Sequence, residues 1–352
     1  MAIVGALDVH RKQITFKTLD FETGEVRRGR ISPVERLSVR GWLLPFAGSG
    51  AQFVLEATTG WRFVVEEIAR AGCVAHLAEA AETAARRGRK RHAKTDAADC
   101  DHMLGLLVEG RLPEAWIAPA HILELRARVR LRKAMIDERH EWQQRIQAQL
   151  YHQGVQRGIR LRSVEGRKAL AEAEVSTAGR ELIECALRII DHLDRQLEPL
   201  DRQLIAFARR QPGCRALQAL FGVGEITSVA ILAELGDCRR FRSSDDAVRH
   251  TGLDVTVWSS DGRRAPGHLA RQGPELLRWA LFEAALSAAR TSSPDHAYYL
   301  EIRARIDHNR ACLSVARKLC RRAYHILREL GDEALAPLDC APVELPPLAQ
   351  AA

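Results

Sequence analysis

The chain has 352 residues, of which 46% are hydrophobic, so it is long and apolar enough to bury real cores and is not a disordered protein. Lysine and arginine number 53 against 45 acidic residues, which gives a formal net charge of +8 and favours polyanionic partners. No C-x-x-C pair occurs among the eight cysteines, which excludes zinc-ribbon and dithiol redox motifs.

The N-terminus, MAIVGALDVHRK, lacks the long apolar core of a signal peptide, and no window is apolar for the length of a membrane span. Scattered cysteines in a chain of this size are typical of small buried side chains in a reducing compartment. We therefore expect a cytoplasmic protein without membrane contact.

The first 117 residues combine strand and helix patterns. Apolar or alternating runs predict strands at 3–9, 13–19, 26–32, 51–57 and 73–79. Helices are predicted from Pro33 onward and over 61–72. Three successive strands followed by a helix–strand–helix–strand order indicate an α/β domain with a mixed sheet over 1–117.

Long helices are predicted between residues 118 and 210. Apolar residues recur there at spacings of three and four, as in a helical hairpin or coiled coil: Leu182, Ala186, Ile189, Leu193, Leu197, Leu200, Leu204 and Phe207. A compact, mostly α-helical domain is expected over 211–330. The Pro- and Ala-rich tail over 331–352 is expected to be disordered.

Gly222 and Gly224 lie between two apolar helical segments at the start of the third region. A Gly-x-Gly turn of this kind can bring backbone N–H groups and a helix N-terminus close to phosphate. The pattern predicts a helix–hairpin–helix that holds a DNA backbone. An ordinary helix-packing turn explains the two glycines equally well.

Four carboxylates are candidate metal ligands. Asp8 and Glu56 each end an apolar strand, where an unpaired charge is costly unless it faces solvent or a cation. Asp96 and Asp99 lie three residues apart, which places both on one face of the predicted helix. Hard oxygen ligands in one cluster suit Mg²⁺, and two such ions can assist phosphoryl transfer. Each acid alone has an ordinary alternative as a cap, a turn former or a surface ion pair.

A run of cations precedes the last two acids and is predicted to hold phosphate: Arg86, Arg87, Arg89, Lys90, Arg91 and Lys94. A salt-bridged surface loop is the alternative.

The segments ALDVHRK, LEATTGW and KTDAAD resemble the three N-terminal motifs of the DEDD insertion-sequence transposases, which are related to the Piv-type DNA invertases. The resemblance implies a RuvC-like, RNase H-like domain over 1–117. It also implies that Asp8, Glu56, Asp96 and Asp99 bind divalent metal, expected to be two Mg²⁺ ions.

Residues 241–281 resemble the second signature of the same family, in which a serine precedes a basic, glycine-containing loop and a helix. The resemblance implies that Ser260 is a nucleophile that joins covalently to a DNA end. Asp261 replaces the glycine of the family, so Ser259 is the alternative nucleophile. Arg263, Arg264 and Arg271 of this segment are candidate nucleic-acid contacts.

The sequence thus predicts a transposase or site-specific recombinase that acts on double-stranded DNA at the ends of its own insertion sequence. The family implies a structured guide RNA and assembly as a homodimer or homotetramer through the hairpin at 121–207. Arg126, Arg130 and Lys133 form a candidate RNA-binding face, and a solvated flank of the hairpin is the alternative.

Two other functions are considered. A RuvC-like junction resolvase would hydrolyse DNA with no covalent step and would not need Ser260. A non-catalytic nucleic-acid-binding protein would use the acids structurally, so that replacing Asp8 or Asp96 would destabilise the fold.

Overall fold

A computed structural model describes residues 3–87, 95–155, 159–256, 259–260, 263–264 and 267–338. The chain divides into two compact units, Met1–Ile117 and Ala118–Ala352. A further boundary near residue 210 stays a prediction.

The N-terminal unit is a mixed five-stranded sheet with helices. Its strands are β1 (Ile3–Val9), β2 (Ile14–Asp20), β3 (Val26–Ile31), β4 (Gln52–Glu56) and β5 (Val74–Ala78). Its helices are α1 (Arg36–Leu43), α2 (Trp61–Arg70), α3 (Ala80–Ala85) and α4 (Asp96–Val108), with a 3-10 turn at Leu44–Phe46. The strand order is β3-β2-β1-β4-β5. The prediction of an α/β unit with a mixed sheet is confirmed.

The sheet changes from antiparallel to parallel at β1. This strand pairs antiparallel with β2 and parallel with β4. The outer pairs follow the same division, since β2–β3 is antiparallel and β4–β5 is parallel. In the parallel half, β1, β4 and β5 all finish at the same end of the sheet. Ligand sites of open α/β sheets form at this carboxyl-terminal end.

The two edges of the sheet differ. At one edge, β3 is largely exposed and carries Arg27, Arg28 and Arg30. At the other, Ala78 of β5 forms an antiparallel bridge with Glu114, and Ala115 donates a backbone hydrogen bond to Leu77.

Each face of the sheet has its own core. Leu7, Phe53 and Leu55 belong to a cluster with residues of α1 and α2. The alternate residues of the same strands, such as Ala6 and Val54, belong to a second cluster with α4. This alternation follows from the two-residue period of a strand, and it fixes which side chains face α4.

The helix predicted from Pro33 begins three residues later. Glu35 is extended and serves as the N-cap, so Arg36 is the first helical residue. Pro33 therefore precedes the helix, and its predicted first-turn position is wrong.

Glu67 links α1 to α2 through three arginines. Its carboxylate oxygens accept hydrogen bonds from Arg36 Nη1 at 3.0 Å and Arg40 Nε at 3.0 Å, and Arg70 Nη1 also donates to it. The Glu67 side chain is fully buried, whereas the arginine side chains are about half exposed. The hydrogen bond from Arg40, with those from Arg36 and Arg70, lowers the pKa of Glu67 to about 2 against the opposing effect of burial.

The second unit is mostly helical. Its helices are α5 (Ala120–His152), α6 (Val164–Glu172), α7 (Thr177–Arg210), α8 (Pro212–Leu217), α9 (Glu225–Leu235), α10 (Ser244–Thr251), α11 (Glu275–Leu286), α12 (His296–Arg303) and α13 (His308–Leu330). Short 3-10 turns lie at Cys238–Arg240, Ser287–Ala289 and Gly331–Leu335. Four two-residue strands, β6 (Val255–Thr256), β7 (Ser259–Ser260), β8 (Arg263–Arg264) and β9 (His268–Leu269), form two small ladders.

The long helices α5 and α7 pack side by side. Near the start of α5 and the end of α7, Leu125 and Val129 of α5 and Leu200 and Leu204 of α7 share one core with α8, α9, α11 and α13. At the far end, a separate cluster joins α5, α6 and α7. The helical pair is therefore built into the core of this unit at one end.

The predicted seam of α7 is wrong by one residue at several positions. Ala186, Leu197, Leu200 and Leu204 are buried as predicted. At three other positions the next residue is buried instead: Ile183, Ile190 and Ala208 are buried, whereas Leu182, Ile189 and Phe207 are only partly so. Leu193 is also only partly buried. A straight α-helix has 3.6 residues in each turn, so a contact face that extends over 34 residues drifts away from a strict heptad pattern.

The start of the tail predicted to be disordered has regular structure. Gly331–Leu335 is a 3-10 turn with Ala334 buried. His121 Nε2 lies 2.8 Å from the Leu335 carbonyl oxygen, and Gln211 Nε2 donates to the Ala336 carbonyl at 3.1 Å. The disorder expected from residue 331 is therefore wrong as far as 336. Residues 339–352 lie outside the described part.

Replacing Glu67 with glutamine is expected to destabilise the N-terminal unit at pH 7. The lowered pKa means that the carboxylate stabilises the fold above its unfolded pKa of about 4.5 and that this stabilisation is lost as the pH falls through about 2. The difference in Tm between wild type and Glu67→Gln should therefore shrink from pH 7 toward pH 3.

Glu66→Gln is the matched control, because Glu66 is the neighbouring acid and its side chain is 33% exposed. Equal losses of Tm in the two variants, or a pH-independent loss in Glu67→Gln, would contradict the assigned role of the buried carboxylate.

Candidate functional site

Asp8 lies near the carboxyl end of β1 and faces α4. The residue is 8% exposed. Because side chains alternate along a strand, Asp8 points to the same side of the sheet as Val4 and Ala6, which pack against Cys100 of α4. The strand thus directs a carboxylate into the space beside the helix.

Glu56 is the neighbour of Asp8 on the next parallel strand. The last residues paired in register are Leu7 and Leu55, so Asp8 and Glu56 follow them side by side. Glu56 ends β4, is partly buried, and points to the same face as Val54 and hence to the α4 side. The sheet therefore places two of the four predicted ligands at the carboxyl-terminal end of its parallel strands and on the same face.

The start of α4 supplies the other two. Thr95 is the N-cap, and its hydroxyl oxygen accepts a hydrogen bond from the Ala98 backbone N–H at 3.2 Å. Asp96 and Asp99 both lie in the first turn, where the helix dipole favours negative charge. Asp101 points elsewhere and forms an ion pair with Lys17 of β2.

The carboxylates of this cluster influence one another. Burial raises the pKa of Asp8, the neighbouring His10 opposes this shift, and the charges of Asp96 and Asp99 add to it. A cation placed between these groups would remove the repulsion.

Three side chains come close enough to share one ion. The ligand atoms of Asp8, His10 and Asp96 all lie within 4.8 Å of one another. His10 Nε2 is 3.1 Å from Asp8 Oδ2 and 3.8 Å from Asp96 Oδ1. Among the described residues, Glu56 and Asp99 do not belong to this close group.

The donor set fits a divalent cation held mainly by carboxylates. Asp8 and Asp96 offer the hard oxygen atoms that Mg²⁺ and Mn²⁺ prefer, whereas an imidazole is a poor Mg²⁺ ligand. Gln13 Nε2 also donates a hydrogen bond to Asp96 Oδ2 at 3.3 Å, which helps to orient that carboxylate. His10, with a side chain 55% exposed, is thus better suited to hydrogen-bond the Asp8 carboxylate than to bind Mg²⁺.

His10 and Gln13 were not predicted as site residues. His10 was predictable, because it follows Asp8 by two residues. Side chains two residues apart in an extended chain point to the same side. No sequence pattern indicated Gln13, which reaches Asp96 only because the turn between β1 and β2 lies beside the start of α4.

Two arginines of the predicted phosphate-holding run make contacts inside the protein. Arg87 Nη1 forms an ion pair with Asp99 Oδ1, and Arg86 Nη1 donates a hydrogen bond to the Arg111 carbonyl oxygen. Arg87 therefore balances the charge of Asp99. The other members of the run lie outside the described residues: Arg89, Lys90, Arg91 and Lys94.

The serine motif lies on paired strands in the second unit. β6 pairs antiparallel with β9, and β7 pairs antiparallel with β8, so that Ser260 stands opposite Arg263 and Ser259 opposite Arg264. The structure describes the backbone of these two serines and two arginines, and their side chains are outside the described part. The choice between Ser260 and Ser259 stays a prediction.

The glycines of the predicted helix–hairpin–helix have local structural roles. Gly222 has φ +88°, and a Cβ there would lie 2.4 Å from the Ala284 carbonyl oxygen. Only glycine suits both the conformation and this close approach to α11. Gly224 is the N-cap of α9, and its N–H donates to Thr227 Oγ1 at 2.8 Å. A phosphate-binding role for this turn stays a prediction.

The predicted RNA-binding face on α5 is an internal contact with α9. Arg126 Nε donates to the Ala233 carbonyl at 2.6 Å, and its side chain is only 17% exposed. Arg130 forms two hydrogen bonds, of 2.8 and 2.9 Å, with the buried carboxylate of Glu234. The face prediction is therefore wrong for Arg126, because this guanidinium satisfies carbonyls at the end of α9.

The third cation of that face, Lys133, is also engaged. Its Nζ pairs with Asp137 at 2.6 Å and lies 5.6 Å from the centre of the Trp279 ring. The alternative of a solvated flank is wrong for Arg126, whereas the Arg130 side chain is 58% exposed and Lys133 pairs with an acid of its own helix.

Two transposase family models match the chain. A model for DEDD-type transposases of the IS110 group matches residues 5–153, and one described as transposase IS116/IS110/IS902 family matches residues 214–300. Together they span about two thirds of the chain. The first match includes the four predicted acidic ligands, and the second includes the serine motif.

Several curated proteins are similar over shorter segments. An uncharacterized 44.8 kDa protein of insertion element IS116 from Streptomyces clavuligerus is 25% identical, over 39% of this chain and 35% of its own length. A probable family 20 transposase from Pseudomonas aeruginosa is 30% identical, over 28% of this chain and 29% of its own. The transposase for insertion sequence element IS1111A from Coxiella burnetii is 24% identical, over 40% of this chain and 39% of its own. The chain therefore covers less than two fifths of each of these relatives.

Mg²⁺ is expected to stabilise the wild-type protein but not Asp8→Asn. Ligand binding to the folded state adds about 2.7 kcal/mol when the free ion exceeds its Kd a hundredfold, which is measurable as a rise in Tm. In EDTA, Asp8→Asn should unfold at or above the wild-type Tm, because one charge of a crowded cluster is gone.

Asp101→Asn is the control, since Asp101 lies on the same helix but pairs with Lys17. It should keep the Mg²⁺ response. If Mg²⁺ does not change the wild-type Tm, and Asp8→Asn has a lower Tm than wild type in EDTA, the acids instead stabilise the fold and do not bind metal.

Proposed function

Because the chain belongs to the DEDD transposases of the IS110 family, we propose that it cuts and rejoins double-stranded DNA at the ends of its own insertion sequence. The observation that supports this most is the convergence of Asp8 and Asp96, with Asp99 close enough to raise the pKa of Asp8. Such clustering of acids from a strand end and a helix start is costly without a cation and suits metal-assisted phosphoryl transfer.

Asp8 and Asp96 would hold divalent metal, with Glu56 and Asp99 completing the set of carboxylates. Bound Mg²⁺ would stabilise negative charge on the phosphate and its departing oxygen. In this scheme Arg87 holds the Asp99 carboxylate in place until DNA and metal are bound. His10 Nε2, 3.1 Å from Asp8 Oδ2, would hold the Asp8 carboxylate in the same way.

Ser260 is proposed as the nucleophile. Its Oγ would lose a proton and bond to the phosphorus of one DNA strand, while the bond to the departing DNA oxygen breaks and that oxygen gains a proton. The strand end stays attached to the protein until a second DNA hydroxyl attacks the same phosphorus and releases the serine. The number of phosphodiester bonds is thereby conserved, which suits a reaction that rejoins strands without another energy source.

The proposal includes the partners that the family implies. We infer a structured guide RNA that selects the DNA, assembly as a homodimer or homotetramer, and action in the cytoplasm. Among the described helices, none is both long and apolar enough to span a membrane. Arg263 and Arg264, which stand opposite the serines in the β7–β8 ladder, are candidate phosphate contacts in the nucleophilic step.

Covalent capture of DNA tests the serine chemistry. Wild-type protein, element-end DNA, its flanking transcript and Mg²⁺ should give a protein–DNA adduct that resists denaturation. Ser260→Ala should abolish the adduct, because alanine has no hydroxyl to attack the phosphorus, and Ser259→Ala should retain it. Asp8→Asn should lower adduct formation by at least about a hundredfold, the scale of losing transition-state charge stabilisation.

Two other outcomes would redirect the proposal. Metal-dependent cutting without any adduct would favour the hydrolytic junction resolvase. Loss of the adduct in Ser259→Ala but not in Ser260→Ala would exchange the roles of the two serines.

Nucleic-acid binding should depend strongly on salt through the basic run before α4. Replacing Arg89, Lys90, Arg91 and Lys94 with glutamine should reduce the slope of log K against log salt by about 0.9 for every phosphate that the variant no longer neutralises.

A matched variant neutralises four exposed cations on α6 and α7: Lys168, Arg188, Arg195 and Arg202. Its slope should stay near that of wild type. Equal slopes in wild type and the first variant would show that the run does not hold phosphate.

A further inference from the structure

A cavity of about 600 Å³ lies between the β6–β9 ladder and α13. Its walls include Val255 of β6, His268 and Leu269 of β9, and residues of α13 from Arg310 to Arg317. The volume is in the range of sites that bind small ligands or a nucleotide unit.

The charged groups of this cavity are all basic. Arg271, Arg310 and Arg317 line it together with His268, and no carboxylate among the described residues does. Asp254, the residue before Val255, lines the adjoining cavity instead. Like charges gathered in a concave site focus a positive potential and attract an anion.

The three arginines are held differently. Arg317 Nε donates to the Leu253 carbonyl oxygen at 2.6 Å, which ties α13 to the chain just before β6. Arg310 Nε lies 3.2 Å from Asp307 Oδ2, and its side chain is 73% exposed. For Arg271, no hydrogen bond or ion pair of the side chain occurs within the described part of the chain. The Arg317 guanidinium is therefore held in place by the protein, whereas those of Arg271 and Arg310 can bind a ligand.

The backbone at Arg271 is held in an uncommon conformation. Its φ of 55° is in the left-handed region, which is unfavourable for a non-glycine residue. The Arg271 N–H donates to the Gly252 carbonyl oxygen at 3.1 Å. Strain of this kind persists where the surroundings fix it, and it often aims a side chain for function.

We infer that this cavity binds a backbone phosphate of the DNA strand that the serine attacks, with Arg271 and Arg310 as the phosphate contacts and Arg317 as the fixed wall. The inference rests on the proposed function. Ser260 lies five residues after Val255, so their Cα atoms are at most about 18 Å apart. A short length of chain therefore joins the cavity wall to the attacking serine.

DNA is favoured over RNA as the occupant because the cavity is formed by the strands that flank the serine in sequence. A strand held there is anchored close to the reacting phosphate, and such positioning converts binding into rate. An RNA strand bound in the cavity would compete with DNA for this position.

The test compares Arg271→Gln and Arg310→Gln with Arg202→Gln, a matched replacement of one exposed arginine on α7. Fluorescence anisotropy measures the affinity of the full chain for a short labelled DNA duplex and for a single-stranded RNA of the same length. Removing one charged group that binds phosphate should weaken DNA binding by about tenfold and lower the salt slope by about 0.9. Arg271→Lys, which keeps the charge, should recover most of the affinity.

The outcomes are distinguishable from failure of the proposed function. Tenfold weaker DNA binding in both cavity variants, with wild-type Tm, supports the cavity even if no adduct forms in any protein. DNA affinity like that of Arg202→Gln overturns the inference even if the wild-type adduct forms. Losses confined to RNA assign the cavity to an RNA strand and overturn it as well.

Discussion

The N-terminal site depends on one constraint, the in-register parallel pairing of β1 with β4 beneath α4. Pairing of Leu7 with Leu55 places Asp8 next to Glu56, and strand alternation turns both toward the helix. Thr95 then begins α4 at the point where Asp96 and Asp99 lie in its first turn. A slip of one residue in either strand would send a carboxylate to the opposite core. The apolar packing of both faces therefore also holds the acids together.

Much of the N-terminal unit was predictable because its signals are local. Strand alternation, glycine turns and the Thr95 cap each act over a few residues. The group of three close side chains at the site, Asp8, His10 and Asp96, was only partly predictable. Asp8 and Asp96 came from the sequence, but His10 replaces Glu56 as the third nearby ligand atom, and Arg87 is engaged with Asp99. Which side chains meet depends on reach and rotamer across elements far apart in sequence, and periodicity carries no information about these.

The second unit shows the limits of periodicity more clearly. The spacing in α7 revealed a long packed helix, yet its buried face drifts, so that Ile183 and Ile190 replace their neighbours. Arg126 and Arg130 have the charge and spacing of a nucleic-acid face, but buried Glu234 and the end of α9 use both. A sequence shows where cations are, whereas only the fold shows which anions reach them first.

An open sheet can aggregate with other copies of the protein through its edge strands. A sheet edge presents unpaired N–H and C=O groups on which a foreign strand can grow. The bridge between Ala78 and Glu114 covers part of one edge, and Arg27, Arg28 and Arg30 place charged side chains along the other, the first two of them paired with Glu25 and Asp101. These arginines therefore favour contacts between copies through surfaces other than strand addition. The homo-oligomer proposed above would need that separation between assembly and aggregation.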